Sequence, residues 1–219
     1  MSIFTKKRKA KRGLEQSESG VRKLHVGCGT VALPGWVNID LVSGPGIDVA
    51  LDVRQGLPFD DVEFVFAEHF IEHLDFDSGL QFLRECRRAL TNRGVLRLST
   101  PNLDWVWRHQ YHFDGWKNAS EAIRDCFWMN KAFRGWGHQF LYNEQTLAET
   151  LIEAGFEDVV TASYGQSRHP ALQNLERHEE YPDNPDVPHV IVLEASGRAD
   201  ASSDALSGPK ADFDQAMEY

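Results

Sequence analysis

The tightest constraint on this chain is a short apolar strand that runs into a glycine turn, Leu24-His25-Val26-Gly27-Cys28-Gly29, followed shortly by Ile39-Asp40, an acidic residue closing a second apolar run. Such a strand delivers Gly27 and Gly29 to a point where backbone N–H groups can touch a bound nucleoside, and Asp40 could accept both ribose hydroxyls. The same residues also suit a plain tight turn. The connection between them narrows the choice. A dinucleotide fingerprint expects three glycines, a helix and an acidic residue about 20 positions on. Here Asp40 comes sooner and Pro34-Gly35 interrupts, so residues 30–38 hold at most one helical turn. Without a helix N-terminus to seat a pyrophosphate, NAD and FAD are disfavoured and a cofactor without phosphates is favoured.

Short apolar runs alternate with helical patterns from residue 21 to about residue 160, which signals a parallel α/β sheet. Strands are predicted at 23–26, 37–39, 48–51, 64–67 and 95–99, with a helix over 78–91 capped by Asp77 or Ser78 and stopped by Asn92-Arg93-Gly94. A second helix is predicted over 143–154, closed by Gly155, and strands at 158–163 and 189–195. The long polar segment between those two strands suits an antiparallel pair at the sheet edge. Residues 104–137 form an aromatic insertion after the fifth strand, holding Trp105, Trp107, Tyr111, Phe113, Trp116, Phe127, Trp128, Phe133 and Trp136. It is either a satellite core or a lid over a ligand, because open α/β sheets bind ligands at the C-terminal ends of their strands.

With 219 residues and 42% hydrophobic content, the chain can bury one good core. One domain is expected over 21–197, behind a flexible basic arm at 1–20 and ahead of a disordered tail at 198–219. A net charge of -10 makes nucleic acid an unsuitable main partner. No apolar run reaches the roughly 20 residues of a membrane span. Cys28, Cys86 and Cys126 share no CxxC spacing, which points to a reducing compartment, taken as the cytoplasm.

In their joint order these signals resemble a class I S-adenosylmethionine-dependent methyltransferase. The resemblance rests on the glycine turn, on Pro34-Gly35-Trp36-Val37-Asn38-Ile39-Asp40, and on Leu57-Pro58-Phe59 and Glu72-His73-Leu74. It continues through Arg88-Ala89-Leu90 before Gly94, Ser99-Thr100-Pro101-Asn102 and Glu153-Ala154-Gly155-Phe156. It is similar to a short-loop subgroup often found among polysaccharide-assembly genes. The resemblance implies a Rossmann-like, three-layer α/β/α fold with a seven-stranded, mostly parallel sheet and an antiparallel edge. It implies S-adenosylmethionine as cofactor, held by the backbone of Gly27, Cys28 and Gly29, by Asp40 and Leu41, by Asp52 at the adenine amine with Val53 against the ring, and by Glu68 near the methionine part. It departs at His25, which stands where the family has an acidic residue.

The implied activity is methyl transfer to a small molecule or saccharide, at oxygen, with a non-catalytic binding or scaffold protein of the same fold as the alternative. A hydroxyl acceptor must lose a proton, a task that suits histidine. His138 and His69 are the candidate bases, and Asn102, Asp104, Trp107 and Arg168 the candidate substrate contacts. Arg168, His169, Arg177 and His178 could bind an anionic group on the substrate or form a solvated loop. His69-Phe70-Ile71-Glu72-His73 also fits the H-x-x-E-H pattern of an inverted zinc peptidase, with His69 and His73 one turn apart on a helix. The methyltransferase reading accounts for that segment without a metal, and none is expected.

Overall fold

The computed structural model describes residues 22–112, 114–178, 187–199 and 203–218. The arm at 1–20, Phe113 and most of the proline-rich stretch before Val187 therefore lie outside the described residues. Seven strands form one sheet: β1 (Lys23–Val26), β2 (Val37–Asp40), β3 (Val49–Ala50), β4 (Val62–Glu68), β5 (Leu90–Pro101), β6 (Asp158–Thr161) and β7 (Val190–Ser196). Their order is β3-β2-β1-β4-β5-β7-β6. The first five are parallel, and β7 runs antiparallel to both β5 and β6, which makes the antiparallel edge. The strand order reverses between β1 and β4, the place where open α/β sheets leave a crevice for a ligand.

Strand alternation sends each face of the sheet into a different environment. Leu24, Val26, Val65, Ala67, Leu96 and Leu98 join the main apolar core with Leu80, Leu83, Leu147 and Leu151. These last four come from α1 (Phe76–Ala89) and α4 (Glu144–Glu153). The opposite face carries His25, Asn38, Phe66, Arg97 and Glu194, all buried. Its covering layer is built from Leu33, Trp36, Leu172 and Leu175, with a single 3-10 turn at Pro170–Leu172. Two buried carboxylates on this face share one cation: Arg97 donates to Glu176 at 2.6 Å and to Glu194 at 2.7 Å.

The local stops and starts differ from the sequence expectation in three places. Asp75, not Asp77 or Ser78, caps α1 by accepting from the Ser78 backbone N–H at 2.9 Å. The helix ends at Ala89 and passes directly into β5, so Gly94 does not serve as its stop. A Cβ at Gly94 would lie 2.9 Å from the Val62 carbonyl oxygen, so glycine there permits close approach of two backbones. The stretch expected as a disordered tail carries α5 (Ser207–Met217). It docks because Leu206 packs against the core, Phe213 meets Phe140 edge-on, and Lys210 reaches Asp77 at 3.0 Å.

The aromatic insertion folds as α2 (Leu103–Gln110) and α3 (Ala119–Arg134), joined to α4 through a 3-10 turn at Gly135–Gly137. Trp105, Val106, Met129, Ala132, Leu141 and Val187 make a small core of their own. Trp107, Trp116, Phe127, Trp128, Phe133 and Trp136 remain exposed. No helix among the described residues is long and apolar enough to cross a membrane.

Candidate functional site

Two cavities meet at the C-terminal end of the sheet. The smaller, about 220 Å3, lies at the β1/β4 switch and is lined by Val26, Gly27, Asp40, Leu41, Asp52, Val53, Phe70 and His73, among others. The larger, about 930 Å3, lies between the strand ends and the insertion. His73 lines both.

In the smaller crevice the glycine turn and the acidic residue are joined directly, since the Gly29 N–H donates to Asp40 Oδ2 at 2.8 Å. Gly27 and Gly29 have φ of +68° and +54°, the left-handed region that glycine enters without steric cost. A Cβ on Gly29 would meet nothing within 4 Å, so there is open space above it, whereas one on Gly27 would lie 2.3 Å from the Phe70 ring. Cys28 turns inward: its side chain is buried, its N–H donates to the Ile39 carbonyl, and burial followed by the charge of Asp40 pushes its thiol pKa up to about 11.

Asp52 lines the crevice, but its carboxylate is already bidentate with Arg54, at 2.9 Å to Nε and 3.0 Å to Nη2. That hydrogen bonding holds its pKa below the usual carboxylate value. Glu68 is also committed, because Oε1 accepts from the backbone N–H groups of Arg177 and His178 at 2.8 and 3.0 Å and thereby pins the late loop to β4. His25, in the place of an acidic residue, stacks on Phe66 and bonds Asn38 at 3.2 Å. Burial lowers its pKa, against the raising effects of Asn38 and Glu68.

The larger cavity is lined by His69, His73, His109, His112, His138, His178 and His189, with Trp105, Trp128 and Trp136. That is seven of the nine histidines in the chain. His138 Nδ1 lies 2.8 Å from the Ala132 carbonyl, which can only accept, so in the neutral ring Nε2 carries the lone pair. His69 follows β4 at φ +45°, its Nδ1 3.2 Å from Glu72 Oε1 and its ring 4.1 Å from that of His178. His112 Nδ1 pairs with Asp125 Oδ2, which also accepts from Trp116 Nε1 at 3.0 Å. The hydrogen bond from His112, ahead of the others, lowers the pKa of Asp125.

Both candidate bases thus come together, while the expected substrate contacts do not. Asn102 is buried and caps α2 by accepting from the Asp104 N–H at 2.9 Å, and its side-chain amide is tied to the Pro188 carbonyl. Asp104, Trp107 and Arg168 are exposed and outside the cavity lining, and Trp105, two residues along from Trp107 on α2, turns inward instead. His112, Asp125 and His189 carry no sequence signal: His112 and Asp125 lie 13 residues apart at no motif spacing, and His189 meets Trp105 from far along the chain.

No protein-family model matches this chain, and no curated protein matches it. Among solved structures, an S-adenosylmethionine-dependent methyltransferase from Thermotoga maritima is 16% identical, with a TM-score of 0.50, over 89% of this chain and 92% of that one. One from Archaeoglobus fulgidus is 16% identical, with a TM-score of 0.49, over 89% and 94%. A mitomycin 7-O-methyltransferase is 14% identical, with a TM-score of 0.45, over 90% of this chain and 54% of that one, so the chain spans about half its length. At a TM-score of 0.50, the Thermotoga maritima structure shares the Rossmann-like fold of this chain. Likeness at these identities reaches the fold and stops there.

Proposed function

We propose that this chain binds S-adenosylmethionine in the crevice at the glycine turn and transfers its methyl group to an oxygen of a small molecule or saccharide in the histidine-lined cavity. The observation that carries this reading is the junction of the two cavities at His73, which sets a nucleoside-sized crevice beside a larger acceptor-sized space.

The crevice residues fit an adenosine. Space is open above Gly29, Asp40 keeps lone pairs beyond the one used by the Gly29 N–H, and Leu41, Leu51 and Val53 supply apolar walls for a base. Phe70 covers Gly27, so room beside the first glycine opens only when that ring rotates away. When bound, S-adenosylmethionine supplies a methyl group already activated on a sulfonium. The chain then has to align an acceptor, exclude water and take a proton from the hydroxyl. His138 and His69 are assigned to that proton, and the helices of the insertion act as the lid. The three free cysteines suit a reducing compartment such as the cytoplasm. A place in polysaccharide assembly rests on the sequence resemblance alone.

Calorimetry with S-adenosylhomocysteine should show binding by the purified protein. Asp40→Ala should weaken it by about 1–3 kcal/mol, the worth of hydrogen bonds to a charged acceptor. Absence of binding by the unaltered chain would overturn the proposal. Release of S-adenosylhomocysteine with a panel of nucleotide sugars and glycans separates an enzyme from a binding protein.

A further inference from the structure

We propose that Glu72, His73 and His138 form a binding site for a divalent transition-metal cation. One ligand atom from each lies within 4.8 Å of the other two. A metal bonded at about 2.1 Å holds its ligand atoms roughly 3–3.5 Å apart, so rotation of the two imidazoles closes the remaining gap.

A second observation points to a cation independently of that spacing. Glu72 is fully buried and its Oε2 accepts from Thr100 Oγ1 at 2.9 Å, yet Oε1 has no hydrogen bond; it faces His69 Nδ1 at 3.2 Å without hydrogen-bond alignment. A buried carboxylate oxygen whose one polar neighbour is a poorly aligned imidazole keeps a lone pair for a cation.

The surroundings hold the three donors in place. The backbone N–H groups of Gln139 and Phe140 donate to the Glu72 carbonyl at 2.7 and 3.2 Å, and Gln139 Nε2 donates to the His73 carbonyl at 2.6 Å, so the segment bearing His138 is fastened to the segment bearing Glu72 and His73. The bond from His138 Nδ1 to the Ala132 carbonyl sets the tautomer with Nε2 available, the outer-shell arrangement usual for a ligating histidine. The H-x-x-E-H spacing would put His69 and His73 on one helical face. Here the helical part is a 3-10 turn at Ile71–His73, with His69 outside it, and His138 takes the place of His69 in the donor set.

One carboxylate and two imidazoles suit zinc, manganese, cobalt, nickel or ferrous iron better than calcium or magnesium. With three protein ligands, such a cation keeps open positions. All three donors line the larger cavity, so those positions face it. An acceptor hydroxyl bound there would be acidified by the cation, making His138 a ligand and leaving His69 as the proton acceptor. The site rests on its own donors; only this task rests on the methyl-transfer reading.

The test uses the full chain, stripped with a chelator and titrated calorimetrically with Mn2+, Co2+ and Zn2+, with the visible absorption of Co2+ as a second readout. One cation per chain is expected. His138→Asn and His73→Asn should each weaken binding at least tenfold, while His169→Asn, a residue packed on Phe64 away from the cluster, should leave it unchanged. Circular dichroism identifies any variant that fails to fold, and the other single variant then carries the comparison. No stoichiometric binding by the unaltered chain, or equal binding by the folded ligand variants, overturns the proposal. Titrating the same samples with S-adenosylhomocysteine keeps the two readings apart, since either ligand can bind without the other.

Discussion

Replacing Arg97 by Met would strand two buried carboxylates while keeping the length and apolar stem of the side chain. The guanidinium is fully buried and donates to Glu176 at 2.6 Å, to Glu194 at 2.7 Å, and to the carbonyls of Gln166 at 2.8 Å and Ser163 at 3.2 Å. Removing one partner of a buried ion pair costs about 3–5 kcal/mol, because the other charge is left without compensation. Two stranded carboxylates and two carbonyls place Arg97→Met at the upper end of that range. For a chain of this size each kcal/mol lowers Tm by about 2–4 °C, so a loss of about 5 kcal/mol corresponds to a fall of roughly 10–20 °C. Urea titration followed by tryptophan fluorescence, alongside thermal melts, measures it. The triple variant Arg97→Met, Glu176→Gln, Glu194→Gln should recover most of the loss, since neutral amides carry no stranded charge. A loss below about 1 kcal/mol for Arg97→Met, with an unchanged m value, would refute the shared-cation reading. The consequence extends to function, because Arg97 holds the loop whose Arg177 and His178 N–H groups are bound by Glu68 beside the larger cavity.

Other outcomes follow from the same geometry. Burial holds the folded pKa of His25 below its ordinary value of 6.5, despite nearby Glu68 and Asp40 and with Arg177 adding to the lowering, so the unfolded chain takes up the proton first. Stability should therefore fall as pH drops below about 6.5 and level off below the lowered folded pKa; His25→Gln should flatten this part of the Tm profile, and an unchanged slope would exclude His25 as its source. Gly29→Ala should cost about 1–2 kcal/mol from its positive φ alone, whereas Gly27→Ala should cost more, because the new Cβ meets Phe70. Equal losses in denaturant unfolding would mean that the Phe70 ring yields freely.

The strands, the helices α1 and α4 and the glycine turn were legible because each depends on residues close in sequence, namely apolar periodicity and, for α4, Gly155 at φ +95° as a stop; Asn143, read as the first residue of that helix, is its cap. Asp40 was legible for the same reason, since a parallel neighbour brings the end of β2 beside the turn after β1. The docking of α5 was not, because its sequence is weakly apolar and it is held mainly by Leu206, Phe213 and Lys210 against distant partners.

By itself the sequence determined a parallel α/β sheet with a glycine turn that no helix follows, because strand period, turn chemistry and loop length are local properties. Only the tertiary structure decided which polar groups remain available. It committed Glu68 to the late loop and the Asn102 side-chain amide to the distant Pro188 carbonyl, and it gathered seven histidines from separate segments around one cavity. The reason is physical: a buried polar group must find its partner in space, and neither the partner nor the cluster that results is written in the spacing of residues along the chain.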